Sequence, residues 1–541
     1  MKKVVTLLVE NLKKCGITHV FGIPGKPVVS LNQEIEQQGL KYVLCRHECG
    51  AGFAASGYAL MNKTLGVAVV TAGPGGMNML TAAGQAMAFN LPVLFITGHP
   101  SMRDAGKALG QDSTFFGSDL VKMFEPVTLF SARVERGEVF PLYFQHAIET
   151  ALRGRGPVHL NIPADVFEEN IESYEFELPL YIPLVSTNID QIIPLLDKAQ
   201  TPVLFLGKGV KMAEVYEEAK LLSDRWSIPV MTTPGGKGSY SNQDPMFLGA
   251  FGLGGSDEAE QYLRRGVDLM IVIGSKLSDM STAGLTPDLY PKQIIQFDYA
   301  PKFIGKSIAV PTVQIVGDLK ANLKLLLKKV SDQPFMSNNT RDLPKRSKVV
   351  EVHTELLSAA QTMRALRRIL PHDTIVFGDA GSNTFYAVKH FDIYEPGTFY
   401  FDENFIAMGH GIGYSIGAKL ARMDKRIVCI TGDGCMMMHG TEVSTAVCNH
   451  IPVIFIILNN GRLDMVDKGM RRMVGCAVGT IFETPLDVSL FGRSLGATAF
   501  HCQSEDDITN ALQFALKHPG PTVVEIMVDP DEIPPILKRV L

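Results

Sequence analysis

Two polar groups near the C-terminal end of the chain have types and spacing that suit an ion and a phosphate. The segment RIVCITGDG ends in the turn Gly432–Gly434, and the segment IPVIFIILNN ends in Asn459–Asn460. Asp433 offers a carboxylate oxygen and Asn460 an amide oxygen, whereas Mg²⁺ usually takes one or two protein ligands and shares the rest with phosphates and water. The flanking glycines permit close backbone approach, and the amides that open a following helix, from about Cys435 onward, suit an anion.

The elements that must position these groups form one strand–helix–strand unit. Residues 426–432 and 451–459 have the apolar pattern of buried strands, and a helix-like segment joins them. Such parallel connections are right-handed, and the carboxyl ends of parallel strands are where open α/β sheets bind ligands. A lone GDG is a weak signal because turns use Asp-Gly freely. GDG and NN at this spacing, each ending a strand, predict a shared magnesium and phosphate site.

Length and composition are those of an ordinary globular protein and narrow the function classes. The 541 residues are 46% apolar and 20% charged, with a net charge of −5, which predicts about three domains. The sequence has no basic stripe of the kind that indicates a nucleic-acid partner. No apolar run reaches the roughly 18 residues of a membrane span. Glu10, Asn11 and Lys13 break the first apolar run, so it reads as an amphipathic helix rather than a signal peptide. We expect a cytoplasmic protein.

Two stretches interrupt the pattern of strands and helices and divide the chain. Residues 168–190 lose the periodicity, and residues 331–348 are polar with two prolines. The resulting blocks, 1–168, 190–330 and 349–541, each alternate short β-branched segments with helical ones, which is typical of parallel α/β layers. Strands are predicted at VAVVTAG, LPVLFITG, PVLFLG, IPVMTT, DLMIVIG, QIIQFD and DTIVFGD. We predict an α/β chain of three doubly wound parallel-sheet domains.

Several motifs together resemble the thiamine diphosphate (ThDP) enzyme family. The GDG–NN segment resembles the family's diphosphate-binding motif, and Arg46-His47-Glu48, followed by small residues and then Gly-Tyr-Ala at 57–59, resembles its R-H-E motif. The resemblance covers essentially the whole chain. It implies an N-terminal pyrimidine-binding domain, a central domain and a C-terminal diphosphate-binding domain, which are the three blocks above.

The resemblance assigns roles to the charged and polar candidates. It implies that Mg²⁺ is held by Asp433, Asn460 and the backbone carbonyl of Arg462, and that Glu48 hydrogen-bonds the pyrimidine nitrogen N1′ of the cofactor. On composition alone Glu48 reads instead as a solvated carboxylate at a helix start, which the helix dipole favours. In the family the acid and the metal site come from different subunits. The resemblance therefore implies a homodimer or homotetramer with active sites at the subunit interface, and neither nucleic acid nor a membrane as partner.

Further positions are expected to contact the cofactor. Met408 precedes a glycine-rich helix start in FIAMGHGIGYSIGAKLA, where the family places a large apolar residue under the bent cofactor; without the resemblance it reads equally as a core methionine. The remaining candidates lie in loops after strands or in the GDG turn, and they are Gly25, Ser382, Asn383, Gly432, Gly434 and Cys435.

Within the family the chain looks most like acetolactate synthase large subunits and their relatives. It carries VFGIPG (20–25), TAGPGGMN (71–78) and ITGHP (96–100), and Gln111 follows as a candidate substrate contact; the alternative for Gln111 is a surface polar residue. The resemblance implies decarboxylation of a pyruvate-like 2-oxo acid and carboligation of the resulting enamine to a second carbonyl. The alternatives are a non-oxidative 2-oxo-acid decarboxylase, an FAD-linked pyruvate oxidase and a catalytically inactive protein with the same fold.

Three departures from the synthase pattern concern substrate and flavin. Lys26 stands where the relatives have a small residue or Asp, and we hypothesise that it binds a substrate carboxylate; the alternative is that it turns outward to solvent. The synthase run L-G-M-V followed by a Trp reads Leu463-Asp464-Met465-Val466 here, with Gly469 at the Trp position. Met465 and Val466 are expected to line the substrate pocket, and Asp464 to pair with Lys26. The flavin branch carries an arginine-bearing R-F-D-D-R run, whereas this chain reads GSKLSDM at 274–280, so FAD is a disfavoured additional cofactor.

Overall fold

The computed structural model describes residues 1–330, 342–344 and 356–538. Three six-stranded parallel sheets follow one another along the chain, each covered by helices. The predicted fold class is therefore confirmed. Most of the predicted linker 331–348 and the first residues of the third block lie outside the described residues. The exact boundaries of the three blocks stay a prediction.

The first sheet lies in the N-terminal part of the chain. The strands of this part are β1 (Lys2–Lys3), β2 (His19–Gly22), β3 (Lys41–Leu44), β4 (Gly66–Val70), β5 (Val93–His99), β6 (Phe130–Arg133), β7 (Val158–Pro163) and β8 (Asn170–Ile171). The sheet order is β3-β2-β4-β5-β7-β6, and β1 and β8 form a separate antiparallel pair. The helices are α1 (Val4–Lys14), α2 (Val29–Gln37), α3 (Glu48–Asn62), α4 (Pro74–Asn78), α5 (Leu80–Phe89), α6 (Leu120–Phe124) and α7 (Phe140–Gly154).

The central sheet has the order β11-β10-β9-β12-β13-β14. Its strands are β9 (Pro202–Leu206), β10 (Val230–Thr232), β11 (Phe247–Ala250), β12 (Leu269–Ile273), β13 (Gln293–Asp298) and β14 (Thr312–Val316). Its helices are α8 (Ile189–Lys198), α9 (Gly209–Ala213), α10 (Tyr216–Trp226), α11 (Asp257–Arg264), α12 (Asp279–Thr282) and α13 (Leu319–Lys329). The strand order reverses between β9 and β12, so the carboxyl ends of these two strands form the topological switch point.

The third sheet has the order β16-β15-β17-β18-β20-β19. Its strands are β15 (Ile375–Gly378), β16 (Phe399–Tyr400), β17 (Ile427–Gly432), β18 (Val453–Asn459), β19 (Thr498–Cys502) and β20 (Thr522–Met527). Its helices are α14 (Ala359–Ile369), α15 (Ser382–His390), α16 (His410–Ala421), α17 (Asp433–His439), α18 (Glu442–Cys448), α19 (Asp464–Val474), α20 (Val488–Ser494) and α21 (Glu505–Ala515).

The predicted strands and the first helix are confirmed. Strands β5 and β18 are buried along their whole length, because helices cover both faces of a parallel sheet, and this explains their unbroken apolar runs. Helix α1 buries one face through Val4, Leu8 and Leu12, as its amphipathic pattern predicts. In the described ranges, no helix is long and apolar enough to cross a membrane.

The first and third sheets share one core, because α3 and α16 pack backbone against backbone. A Cβ added at Gly57 would lie 2.0 Å from the carbonyl oxygen of Tyr414, and one added at Gly417 would lie 1.8 Å from that of Ala54. The small residues that follow Glu48 in the sequence therefore serve close helix packing. As a result, the buried apolar side chains of the two layers form one contiguous cluster.

Candidate active site

Asp433 and Asn460 lie side by side at the carboxyl edge of the third sheet. Strands β17 and β18 are parallel neighbours with Gly432 opposite Leu458, so the residue after each strand meets the other at the sheet edge. The Asp433 carboxylate joins the two ends: Oδ1 accepts from the N–H of Gly434 at 3.0 Å and Oδ2 from the N–H of Gly461 at 2.9 Å. The predicted strand–helix–strand arrangement is confirmed, and the carboxylate is fixed by two backbone donors.

The Asp433 carboxylate is buried and lacks a cation in the part of the chain that the structure describes. The residue is 3% exposed, and burial raises its pKa to about 6, although the N–H groups of Gly434 and Gly461 act in the opposite direction. A buried carboxylate costs free energy unless a charge or a metal compensates it. The site is therefore suited to a divalent cation, which would supply the missing positive charge.

Asn460 and the carbonyl of Arg462 are neutral oxygen donors beside this carboxylate. The Asn460 amide makes no hydrogen bond to any described residue, whereas the preceding Asn459 is held by Glu525 at 2.6 Å and by the carbonyl of Leu486 at 2.9 Å. The Arg462 carbonyl accepts from the N–H of Asp464 at 2.9 Å. One carboxylate with neutral oxygens is a ligand set typical of Mg²⁺ that also binds phosphate and water.

A cavity of about 350 Å³ opens above this sheet edge. It brings together most of the sequence-predicted cofactor and substrate positions, and its predicted lining residues are Ser382, Asn383, Met408, Gly432, Asp433, Gly434, Cys435, Asn460, Arg462, Met465 and Val466. We call this the C-terminal half-site. The roles of these residues stay predictions, but their common location follows from the loops that end β15, β16, β17 and β18.

Ser382 and Asn383 open helix α15 at the floor of the C-terminal half-site. The Ser382 hydroxyl is buried and has no hydrogen-bond partner in the described part of the chain. The Asn383 amide donates to the carbonyl of Ile430 at 3.2 Å, and a Cβ added at Gly432 would lie 3.5 Å from its Oδ1. A buried hydroxyl without a partner is costly, so Ser382 is suited to bind a polar ligand group such as a phosphate oxygen.

Met408 lies over the GDG turn. A Cβ added at Gly434 would be 3.2 Å from the Met408 Cε atom and 2.7 Å from Leu463 Cδ2, so both apolar side chains border the cavity there. The next residue, Gly409, has φ +85° and donates its N–H to Asp379 Oδ1 at 2.9 Å. The left-handed backbone at Gly409 requires glycine, and Asp379 thereby fixes the loop that carries Met408.

Glu48 lies outside the cavity of the C-terminal half-site, at the start of α3. Its carboxylate accepts from the Asn78 amide at 2.9 Å. The two preceding residues are anchored by Glu442, whose Oε1 accepts from the N–H of Arg46 at 3.0 Å and of His47 at 2.9 Å. Burial raises the pKa of the Glu442 carboxyl, and these hydrogen bonds oppose the shift. The backbone before Glu48 is thus held by an acid almost 400 positions away in the sequence.

Gly25 and Gln111 lie beside Glu48. A Cβ added at Gly25 would be 2.3 Å from the Thr71 Cβ atom, and one added at Gly75 would be 2.7 Å from Thr71 Cγ2 and 3.5 Å from Glu48 Oε1. Thr71 Oγ1 donates to Gln111 Oε1 at 3.1 Å. We call this cluster of Gly25, Glu48, Thr71 and Gln111 the N-terminal half-site. None of its members lines the cavity of the C-terminal half-site in the same chain.

The substrate-pocket predictions have mixed outcomes. Met465 and Val466 line the cavity, as expected, with Val466 half-exposed. Within one chain Asp464 pairs with Lys468 at 2.6 Å, and the expected pair with Lys26, which belongs to the other half-site, stays a prediction. Lys26 is exposed at the N-terminal half-site, next to Gly25.

The switch point of the central sheet holds a second cavity, lined by residues that follow β9 and β12. Its volume is about 260 Å³, below the roughly 300–1,000 Å³ of typical ligand clefts. A Cβ added at Gly209 would lie 2.6 Å from the Gly274 Cα atom, so protein backbone fills the room that the glycines leave. Lys208 is buried against Asp402 at 3.1 Å, and burial lowers the pKa of Lys276 to about 8. The expectation that FAD is a disfavoured cofactor stays a prediction.

Three positioning residues escaped the sequence analysis: Asn78, Asp379 and Glu442. Asn78 belongs to the TAGPGGMN motif, and Asp379 ends the predicted strand DTIVFGD. The sequence therefore indicated the segments that contain these residues but not their hydrogen-bond partners. Glu442 follows a Gly-Thr pair at a helix start, a common place for an acid. No local signal indicates that it anchors residues 46 and 47.

Comparison with known proteins assigns the fold and the two half-sites to a class. In chain order, residues 2–121, 189–326 and 379–526 match the thiamine pyrophosphate enzyme N-terminal TPP binding domain, central domain and C-terminal TPP binding domain. Together with the full-length relatives described next, these matches show that the chain belongs to the thiamine pyrophosphate enzyme family.

The relatives narrow the class further. The acetolactate synthase large subunit of Haemophilus influenzae is 30% identical over 98% of this chain and 96% of its own length. A probable acetolactate synthase large subunit of Methanococcus aeolicus is 29% identical over 97% and 91%. The isozyme 2 large subunit of Escherichia coli is 27% identical over 96% and 95%. The chain is thus similar to enzymes of the acetolactate synthase type and is itself a ThDP-dependent enzyme of that type.

Proposed function

We propose that the protein uses ThDP and Mg²⁺ to decarboxylate a pyruvate-like 2-oxo acid and to join the remaining unit to a second carbonyl compound. The observation that carries the proposal is the C-terminal half-site, where the buried Asp433 carboxylate, the unbonded Asn460 amide and the buried Ser382 hydroxyl face one cavity. These groups lack the partners that a cation and a diphosphate would provide. The synthase-type relatives support the same reaction.

The residues divide the work of holding the cofactor. Asp433, Asn460 and the Arg462 carbonyl would hold Mg²⁺, while Ser382 and Asn383 would bind diphosphate oxygens and Met408 would support the bent cofactor. When bound, ThDP supplies the carbon nucleophile for the keto group and takes up the electron pair released with CO₂. Glu48 would hold a proton at the pyrimidine nitrogen N1′, with its carboxylate oriented by Asn78 at 2.9 Å.

The apolar wall of the cavity favours carboligation over simple decarboxylation. Met408, Leu463, Met465 and Val466 border the space beside the GDG turn, and an apolar wall excludes water from the reacting carbon. Exclusion of water would disfavour the protonation that completes a simple decarboxylation. Gln111, bonded to Thr71 at 3.1 Å, would orient the carbonyl group that reacts.

The separation of the two half-sites supports a dimer with shared active sites. Glu48 and Gln111 do not line the cavity that contains Asp433 in the same chain. The shared core of α3 and α16 fixes the two layers relative to each other. A complete site therefore requires Glu48 of one copy opposite the C-terminal half-site of another, as in a two-fold symmetric assembly.

Complementation between two inactive variants tests this arrangement. Glu48→Gln and Asp433→Asn chains are purified separately, mixed one to one under conditions that exchange subunits, and assayed with pyruvate, ThDP and Mg²⁺. Shared sites predict recovery of about a quarter of wild-type activity, because half of the dimers are mixed and each mixed dimer has one intact site. Sites contained within one chain predict no recovery.

Product analysis tests the reaction itself. Purified protein with ThDP and Mg²⁺ is given pyruvate, and CO₂ and acetolactate are quantified together. One acetolactate per CO₂ supports the proposal. Free acetaldehyde as the main product would instead assign a non-oxidative decarboxylase, and no CO₂ from a panel of 2-oxo acids would refute both.

A further inference from the structure

Glu525 is a buried acid in the third sheet that does not line the cavity of the C-terminal half-site. It lies on β20 and is 1% exposed, with Ile457 of β18 opposite it on one side and His501 of β19 on the other. Residues opposite each other in a sheet share a face, as do residues two positions apart on a strand. The side chains of Glu525 and Asn459 therefore lie on the same face of the sheet. A charged side chain in such a position costs free energy unless it is hydrogen-bonded.

Four donors satisfy the Glu525 carboxylate. Its Oε1 atom accepts from Asn459 Nδ2 at 2.6 Å and from the N–H of Val488 at 3.1 Å. Its Oε2 atom accepts from the N–H of Ser489 at 3.1 Å and lies 2.8 Å from Nδ1 of the exposed His501. The carboxylate is thus fixed from several sides, and it can hold the Asn459 amide in one orientation.

The Asn459 side chain connects this acid to the loop 460–462. Its amide nitrogen donates both to Glu525 and to the carbonyl of Leu486, the latter at 2.9 Å. Its Oδ1 atom therefore points the other way and accepts from the N–H of Gly461 at 3.1 Å. Gly461 has φ +69°, a left-handed backbone that glycine adopts readily. The Asn459 amide thus fixes the middle of the loop.

The N–H of Gly461 also donates to Asp433 Oδ2 at 2.9 Å. A continuous chain of hydrogen bonds therefore runs from Glu525 through Asn459 and Gly461 to the carboxylate of the GDG turn. The residues on either side of Gly461 supply the two neutral oxygen donors of the Mg²⁺ site described above. Mg²⁺ demands a near-ideal octahedral arrangement of its ligands, so the place of this loop should determine how tightly the ion is bound.

We propose that Glu525 is a positioning residue for the Mg²⁺ site, because it fixes Asn459 and thereby places the loop that carries two of the three metal ligands. This inference rests on the proposed function. Loss of Glu525 removes no ligand and no part of the cavity wall. The effect should therefore fall on the Kd for Mg²⁺, and kcat should recover when Mg²⁺ saturates the site.

Calorimetric Mg²⁺ binding in the presence of ThDP tests this role. Glu525→Met keeps an unbranched side chain but removes both oxygen acceptors. We expect its Kd for Mg²⁺ to rise about 10–100-fold, as for other groups that orient metal ligands, with kcat at saturating Mg²⁺ within about twofold of wild type.

Glu532→Met is the matched control. Glu532 also accepts from two N–H groups at the start of a helix, those of Ala359 and Ala360. Its carboxylate has no hydrogen bond to residues 459–462 in the described part of the chain. Its loss should lower stability but leave the Kd for Mg²⁺ within about twofold of wild type, because sites without a shared partner act independently.

An exchange of the acid and the amide separates positioning from simple electrostatics. Asn459→Asp places a second carboxylate beside Glu525 and next to a metal ligand. Attraction between charges alone would make this variant bind Mg²⁺ more tightly, whereas loss of the anchor predicts binding weaker by about tenfold or more. The double variant Asn459→Asp/Glu525→Gln restores a donor and an acceptor in exchanged positions. It should bind Mg²⁺ about tenfold more tightly than Asn459→Asp, because residues in contact are coupled.

The outcomes distinguish this inference from the proposed function. Unchanged Mg²⁺ affinity in Glu525→Met, tighter binding in Asn459→Asp, or no recovery in the double variant would refute the role of Glu525 and leave the reaction standing. An equal rise of the Kd in Glu525→Met and Glu532→Met would also refute it, because it indicates general destabilisation. If thermal unfolding shows that Glu525→Met does not fold, the exchange decides. If wild type binds Mg²⁺ with ThDP but releases no CO₂ from any 2-oxo acid, the proposed reaction fails, and the Kd values still report on Glu525.

Discussion

Replacing Asp433 with Asn should weaken metal binding and at the same time stabilise the metal-free protein. The pKa of this carboxyl is raised from 3.8 to about 6 by burial, a difference of about 3 kcal/mol at 1.36 kcal/mol per unit. Because the folded pKa lies above the unfolded one, this contribution favours the fold below pH 3.8 and is lost as the pH rises through about 6. At pH 7.5 the charged carboxylate therefore destabilises the folded protein, and a bound cation removes this destabilisation.

The size of the effect follows from the contacts of Asp433. The Asn side chain removes the buried charge, which should raise the free energy of unfolding by about 3 kcal/mol. However, the N–H group of either Gly434 or Gly461 then faces the amide N–H₂ group, which costs about 1 kcal/mol. The net gain of about 2 kcal/mol corresponds to a rise in Tm of about 4–8 °C for a domain of this size. The gain should vanish near pH 4, where the wild-type carboxyl is protonated in the fold.

The assay is thermal unfolding of wild type and Asp433→Asn without metal at pH 4.5, 6 and 7.5, followed by calorimetric Mg²⁺ binding in the presence of ThDP. Between pH 7 and pH 5 the wild-type apparent Kd for Mg²⁺ should rise about tenfold more than that of Asp433→Asn, because a proton competes at a site with a pKa of about 6. The comparison with Asp433→Asn corrects for protonation of the cofactor's phosphate groups, which changes Mg²⁺ affinity equally in both proteins. A Tm difference independent of pH, or unchanged Mg²⁺ affinity in Asp433→Asn, would refute the reasoning.

Two further predictions concern the other half-site and the shared core. Glu48→Gln should lower kcat by about 10²–10⁴-fold with little change in calorimetric ThDP binding, because it alters proton control rather than the metal site; a kcat within tenfold of wild type would remove Glu48 from the mechanism. Gly417→Ala should prevent the close packing of α3 on α16, since its Cβ would lie 1.8 Å from the carbonyl oxygen of Ala54, and should lower Tm sharply. The matched Gly469→Ala has open space around the new methyl group and should stabilise α19 by about 0.5–1 kcal/mol; equal Tm values for the two variants would contradict the packing argument.

The sequence predicted the C-terminal half-site well because its signals are local. Each strand of the βαβ unit is an unbroken apolar run, and the rule that ligands bind at the carboxyl ends of parallel strands places Asp433 beside Asn460 without further information. The same reasoning explains why Ser382, after β15, lines the same cavity. Strand order is the missing element, because no segment of the sequence indicates its neighbours in the sheet.

The omissions arise where the partners are distant in sequence or where a nearer partner was overlooked. Lys468 lies one helical turn from Asp464 on α19 and pairs with it, and pairs at this spacing form readily. That signal was present in the sequence. In contrast, the hydrogen bonds from residues 46 and 47 to Glu442 join elements almost 400 positions apart, and no pattern within either segment indicates them.

Glu442 joins the C-terminal layer to the backbone that carries Glu48. Its carboxylate lies on α18, which follows the GDG helix α17 in the C-terminal layer, and it holds the backbone immediately before Glu48 in the N-terminal layer. A Cβ added at Gly50 would lie 2.2 Å from Glu442 Oε1, so α3 has no room to shift relative to α18. The α17–α18 segment that follows the GDG turn and the start of α3 that carries Glu48 are therefore held in one fixed relative position by a single buried carboxylate.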